Sequence, residues 1–273
     1  MTTETYISLK SAAERLGLHY MTVYRYVRTG RLPAVKVDGE WRVRQSDVDF
    51  LGDDTGETAP RPREHQKPLL EERMIAGDEP GAWQIIELAM GSGADVEEIY
   101  IKLLIPAMRS VGERWETEDI SVLDEHQATA VATRLVARLG PMFRRRGRRR
   151  GVVIIGAPAG DPHALAPAFL ADLLRGRRFE VLDLGGNTPA ESFVELVTKT
   201  DGVRAAAISA TAPDNLDVVR DTIAAIREAD PELPVFVGGH SIGSADLAAE
   251  LGADGWAPDA EGALELFEDL PPR

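Results

Sequence analysis

Residues 151–174 read GVVIIGAPAGDPHALAPAFLADLL. The unbroken apolar run Val152–Ile155 reads as a strand buried on both faces, as in a parallel sheet covered by helices. Pro162–Leu174 reads as the helix that follows. Between them stands Asp161-Pro162-His163, a histidine offered at the mouth of a sheet. Ligands of open α/β sheets sit at the carboxyl ends of strands, at the point where strand order reverses. The same alternation continues to residue 270. Val181–Leu184, Ala205–Ser209 and Val235–Val237 read as strands. Ala190–Thr198, Asn215–Glu228 and Ala245–Leu251 read as helices between them. Ser209 and Thr211 follow the third strand, and Gly238-Gly239 the fourth. Hydroxyls there can bond a buried ligand tail, and paired glycines admit close backbone approach.

Upstream, residues 68–142 carry helical periodicity and no strand alternation. Expected helices are Pro68–Ala76, Pro80–Met90, Asp95–Arg114 and Val122–Leu139, a four-helix bundle. Asp95 and Glu98 have capping-box spacing, and Pro106 should kink the third helix. Ile99, Leu103, Met108 and Val111 supply its buried stripe. Trp115 closes that helix, and alone it would be core. Nine residues intervene before Glu125-His126, near the start of the fourth helix.

Two stretches read as connectors. Residues 52–67, GDDTGETAPRPREHQK, are polar and aperiodic. Residues 143–150 include RRRGRRR at 144–150, a solvated loop or a phosphate- or partner-binding patch. Residues 1–51 form a third segment. Ser8–Gly17 reads as a helix capped by Ser8, with Ala12, Ala13 and Leu16 apolar. Met21–Thr29 reads as a second helix with Val23 and Val27 inward. That leaves Thr22, Tyr24, Arg25, Tyr26 and Arg28 for the outer face. Ala34–Val37 and Glu40–Arg44 flank Asp38-Gly39, a hairpin signal. Helix, turn, helix and hairpin wing make a compact DNA-reading design.

The bulk numbers narrow the classes. With 273 residues the chain accommodates two or three domains. It has no cysteine, which excludes disulfides, thiolate metal sites and thiol nucleophiles and fits a reducing cytoplasm. No apolar stretch approaches a membrane span and no signal-peptide core is present, so a cytoplasmic location without membrane contact is expected. The net charge of −14 opposes unguided DNA binding, so any DNA contact needs a local basic face. No catalytic constellation stands out, and a non-enzyme is expected.

The segment SLKSAAERLGLHYMTVYRYVRTGRLPAVKVDGEWRVRQSDVDFL resembles excisionase/MerR-like winged helix-turn-helix proteins. That resemblance places Thr22, Tyr24, Arg25 and Arg28 in the major groove of a double-stranded operator, with Arg42 or Arg44 on the backbone or minor groove. The stretch LLIPAMRSVGERWETEDISVLDEHQAT resembles the helical cap of cobalamin-binding sensors. By that likeness Trp115, Glu125 and His126 lie over the corrin and contact an adenosyl group, with Val122 packed above the ring. The Asp161-x-His163 region is similar to the cobalamin-binding domain of methionine synthase and its relatives. There the histidine displaces the cofactor's own base, which implies that His163 is the lower axial cobalt ligand and Asp161 its carboxylate partner. Ser209, Thr211, Gly238 and Gly239 would line the tail pocket, with His240 beside them. The usual glycine three residues after the histidine is Ala166 here.

In this order the modules resemble the CarH/LitR-type adenosylcobalamin photoreceptor regulators. The resemblance implies a repressor that assembles as a tetramer around adenosylcobalamin in the dark, then dissociates and releases DNA when light breaks the cobalt–carbon bond. In the family pattern a histidine after the cap tryptophan captures cobalt after photolysis. Glu116 stands there, so an altered, reversible or missing light response is expected. Corrinoid methyl carriers share a similar cap and Asp-x-His domain, and a regulator sensing a corrinoid without photochemistry is a further alternative. His19 and His65 read as turn and linker residues.

Overall fold

The computed structural model describes residues 5–16, 20–28, 32–37, 39–52, 66–145 and 147–270, with the side chains of residues 22, 25, 28 and 49–52 left aside. The fold is multidomain, α and α/β. The expected roles of Thr22, Arg25 and Arg28, and the positions of His19 and His65, lie outside the described side chains.

The N-terminal module runs β1 (Tyr6–Ser8), α1 (Leu9–Leu16), α2 (Tyr20–Arg28), β2 (Ala34–Val37), β3 (Glu40–Arg44) and α3 (Gln45–Gly52). Ser8 caps α1 through its Oγ, which accepts from the Ser11 N–H at 3.1 Å. The hairpin falls where Asp38-Gly39 predicts it, and Gly39 adopts φ +86°. Two elements were not legible: β1, which pairs antiparallel with β3, and α3. Three residues of β1 are too short for alternation to register. Leu9, Ala12, Ala13, Leu16, Val23, Leu32, Val43 and Val48 close a small core. Tyr24 corrects an expectation. It packs half-buried against this core, three residues before Val27, and stacks on Tyr20 at 6.4 Å instead of projecting freely outward. Arg42 and Arg44 share one face of β3. Arg44 donates from Nε to the Tyr6 hydroxyl at 3.1 Å, and Arg42 lies 3.5 Å from Glu40.

The bundle comprises α4 (Gln66–Ile75), α5 (Glu79–Gly91), α6 (Val96–Ile99), α7 (Ile105–Glu116) and α8 (Val122–Leu139). It begins at Gln66, two residues before the expected start, and Gln66 is buried. Asp95 and Glu98 form the expected capping box. A π-helical turn, Tyr100–Leu104, joins α6 to α7. Pro106 has no N–H to offer the carbonyl four residues back, and the ladder widens just ahead of it. There the Ile105 N–H donates to Tyr100 O, five residues back. Ser121 and Asp124 form a second capping box, which fixes the start of α8 at Val122.

A short 3-10 turn, Gly140–Phe143, leads into the α/β domain. Its elements are β4 (Val152–Gly156), α9 (Leu165–Gly176), β5 (Glu180–Asp183), α10 (Ala190–Lys199), β6 (Val203–Ser209), α11 (Leu216–Ala229), β7 (Val235–Gly238), α12 (Ala245–Glu250), β8 (Gly255–Ala257) and α13 (Ala260–Glu268). The five parallel strands follow the order β5-β4-β6-β7-β8, the flavodoxin-like arrangement, with its switch point between β4 and β6. The helix expected from Pro162 starts at Leu165, so His163 stands in a loop.

The bundle and one face of the sheet share a single hydrophobic core, which includes Leu135, Leu139, Phe143, Phe169, Leu173 and Phe267. Tyr100 is fully buried there, against Phe143 at 4.6 Å and Phe169 at 5.2 Å. Its hydroxyl donates to Asp172 Oδ2 at 2.9 Å, and Arg175 Nη1 donates to Asp172 Oδ1 at 2.7 Å. Burial first, then the Asp172 charge, pushes the Tyr100 phenol far above its ordinary range, so it remains a donor.

Candidate functional site

The β4–α9 loop leaves the sheet at the switch point, between the ends of β5 and β6. Asp161 is fully buried in it. Its Oδ2 accepts the backbone N–H groups of Thr211 at 2.6 Å and Ala212 at 2.9 Å. Its Oδ1 accepts the His163 N–H at 3.0 Å and faces His163 Nδ1 at 2.6 Å. Burial alone would raise the Asp161 pKa. The four donors outweigh it and hold the carboxyl at about 2. The hydrogen bond to Asp161 raises the His163 pKa against the pull of burial, and the Asp161 and Glu125 charges add to it.

That contact gives Nδ1 the proton and turns Nε2 outward as a lone-pair donor. The His163 side chain is 47% exposed, so Nε2 is open to a ligand.

Residues that sequence reasoning missed hold this loop. The Asn187 N–H donates to Asp161 O at 2.6 Å, and Asn187 Oδ1 accepts from the Gly160 N–H at 2.8 Å. Asn215 Nδ2 donates to Ala159 O at 3.0 Å. A Cβ on Gly186 would stand 2.6 Å from Pro162 O, so only glycine lets the β5 loop lie against the Asp161 loop. The Gly185-Gly186-Asn187 run is a turn signal that could have flagged this clamp.

Ser209 and Thr211 stand at and just past the end of β6, beside the switch point, both half-buried. Gly239 has a backbone reason to be glycine. Its φ is +101°, and a Cβ there would lie 2.3 Å from Ala210 O. Gly238 packs beside Ala257, whose carbonyl would lie 3.1 Å from an added Cβ. Gly239→Ala should cost about 2–3 kcal/mol from strain alone. A calorimetric melt should show a transition several degrees lower; an unchanged melting temperature would refute this reading.

The near end of the bundle hangs over these loops. Glu116 Oε1 lies 3.5 Å from His240 Nε2, across from the β7–α12 loop. Trp115, Val122 and Leu123 are 45%, 57% and 64% exposed on this end. Trp115 is thus not core, because it ends α7 on the side the bundle leaves open. Glu125 is pinned by Thr129, whose Oγ1 donates at 2.7 Å, and by His126 Nδ1 at 2.9 Å. His126 itself is largely exposed. Ala166 is exposed on the first turn of α9.

A B12 binding domain model matches residues 151–266, and a second B12 binding domain model matches 69–139. A helix-turn-helix domain model matches residues 6–49. The chain carries B12-binding domains and a helix-turn-helix domain. A corrinoid protein of Desulfitobacterium hafniense is 26% identical over 209 residues, 74% of this chain and 95% of that protein. The dimethylamine corrinoid protein of Methanosarcina barkeri is 28% identical over 190 residues, 68% of this chain and 88% of that one. The solved monomethylamine corrinoid protein of the same organism superposes with a TM-score of 0.68 at 21% identity, over 76% of this chain and 99% of that one, which establishes the shared fold.

The residues present fit a corrinoid. Among the described residues, no group of three or more His, Asp or Glu side chains could hold a bare metal ion. A corrin brings four equatorial nitrogens of its own, so one imidazole with a fixed tautomer is the donor set it needs from the B12-binding region. The exposed Trp115, Val122 and Leu123 would otherwise form an unexplained apolar patch. Among the described residues no helix is long and apolar enough to cross a membrane.

Proposed function

We propose that this chain is a cobalamin-responsive transcriptional regulator, with adenosylcobalamin as its ligand. The observation that carries the reading is the helix-turn-helix match at 6–49 on the same chain as the B12-binding matches. A carrier protein has no use for a DNA reader. In this reading His163 Nε2 would hold the cobalt, and Asp161 fixes the ring's tautomer and orientation. Ser209, Thr211, Gly238 and Gly239 border the tail. Trp115, Val122, Glu125 and His126 cover the upper face, where an apolar lid suits a bulky upper group. When bound, adenosylcobalamin supplies visible absorption and a weak cobalt–carbon bond that light can break.

One helix-turn-helix module buries little DNA, so useful affinity needs an oligomer, and a dark tetramer would present several modules at once. Thr22, Arg25, Arg28, Arg42 and Arg44 are the proposed DNA contacts, with Tyr24 contributing only its exposed edge. Loss of the upper group would change what the lid packs against, bias the assembly and release the operator. Glu116, turned toward His240, offers no imidazole to cobalt.

A second reading is favoured by the relatives, which are corrinoid proteins named for di- and monomethylamine. In it the chain carries methyl groups for a methyltransferase. One experiment separates the two. Purified protein loaded with adenosylcobalamin is kept dark or exposed to green light, then followed by absorption, size-exclusion chromatography and retardation of duplex DNA. The regulator reading expects a DNA-bound oligomer in the dark that dissociates as the spectrum changes. A corrinoid-loaded protein that ignores duplex DNA in both states would overturn it. DNA binding that needs the corrinoid but ignores light would remove only the photochemical part.

A further inference from the structure

The loop at 144–150 joins the bundle to the amino end of β4, at the opposite end of the sheet from His163. The fold sorts its arginines into two sets. Arg149 pairs with Glu180, and Arg150 Nη2 donates to the carbonyls of Phe267 and Glu268 at the end of α13. Arg177 holds Glu97 through both terminal nitrogens and reaches Glu268 from Nε, and Arg175 holds Asp172. These are structural.

Arg144, Arg145, Arg148 and Arg178 are exposed, and none makes an ion pair among the described residues. Arg178 comes from the α9–β5 turn, yet the fold brings it to the loop. Its carbonyl accepts the Arg150 N–H at 3.0 Å, and its Nη1 lies 3.7 Å from where a Gly147 Cβ would stand. Arg178 does this at φ +68°, a conformation most side chains avoid.

Four like charges are thus gathered on a chain that carries 45 acidic residues, and among the described residues no carboxylate pairs with them. A solvated connector needs polarity, not an unpaired guanidinium cluster. Guanidinium groups match phosphate oxygens in geometry as well as charge. We propose that Arg144, Arg145, Arg148 and Arg178 form a second DNA contact that grips the phosphate backbone without reading sequence. The inference rests on the regulator reading above, because the helix-turn-helix module brings the polyanion to the molecule. It also answers two deficits of that reading: the small DNA surface one module buries, and the repulsion from a net charge of −14.

The test is the salt dependence of binding by the full-length, adenosylcobalamin-loaded protein to a fluorescent 40-base-pair duplex of random sequence, on the order of one oligomer's footprint. Each phosphate contact contributes about 0.9 to the slope of log K against log salt. The triple variant Arg144→Ala/Arg145→Ala/Arg148→Ala should flatten that slope by about 2 to 3. The matching lysine variant should restore most of it. Corrinoid uptake by the triple variant, read from its absorption spectrum, should match the parent, which shows that the fold survives. A slope unchanged by the triple variant sinks the inference while the regulator reading stands, including the case where the arginines instead govern binding to phosphatidylserine vesicles. A parent protein that binds no duplex at any salt sinks both, and an Arg42→Ala variant that alone abolishes binding, beside an inert triple variant, assigns all DNA contact to the wing.

Discussion

Replacing His163 by alanine is expected to weaken adenosylcobalamin binding by on the order of 100-fold or more and to change the absorption spectrum of whatever remains bound. The magnitude follows from the site's construction. Losing a partner that only orients a metal ligand costs about 10- to 100-fold in affinity, and losing the ligand itself should cost at least that much. His163 is the histidine whose Nδ1 is committed to a buried carboxylate while the rest of its ring is open. His126 and His240 are each more than 70% exposed and engage only partly exposed glutamates. Equilibrium dialysis with spectra of the bound fraction gives both numbers. A His163→Ala protein that binds with unchanged affinity and colour would remove the imidazole from the scheme and reopen the question of what the site recognises.

The second large effect concerns stability. Asp161→Ala should destabilise the protein by about 2–4 kcal/mol, because it strips two backbone N–H groups of a charged acceptor at a buried position. The Asp161 carboxylate ties two loops together: its own, through His163, and the β6 loop, through Thr211 and Ala212. Alanine leaves the Thr211 and Ala212 N–H groups facing a void. Asp161→Asn should cost less, because the amide oxygen still accepts from one side, but its NH2 group then faces donors. Urea unfolding of the corrinoid-free proteins measures this directly. If Asp161→Ala unfolds at the parental midpoint, the carboxylate is not the keystone of the switch point, and its role reduces to orienting His163.

Much of the fold was legible because its signals are local. Val122 was the expected start of α8, and the Ser121–Asp124 capping box enforces it. The wing strands Ala34–Val37 and Glu40–Arg44 have the expected limits, with Val37 and Glu40 paired at the end of the hairpin. What escaped was held by distant partners. The three residues of β8 owe their strand to pairing with β7, and β1 owes its own to β3. Within the site, Asp161 and His163 stood out by their position after an apolar run. The clamps from Asn187, Asn215 and Gly186 did not, because each acts on a backbone group 24 or more residues away. The half-burial of Tyr24 escaped for a similar reason: on a helix of nine residues, one step of rotation decides how much of a side chain meets the core.

The buried Tyr100–Asp172–Arg175 chain lies on one side of the molecule, and the lighter Glu116–His240 contact lies on the other. This asymmetry gives the cap a fixed fulcrum and a free jaw. Separating the bundle from the sheet would have to break the packing of Tyr100 on Phe143 and Phe169 at one end, but at the other only a contact between two exposed side chains.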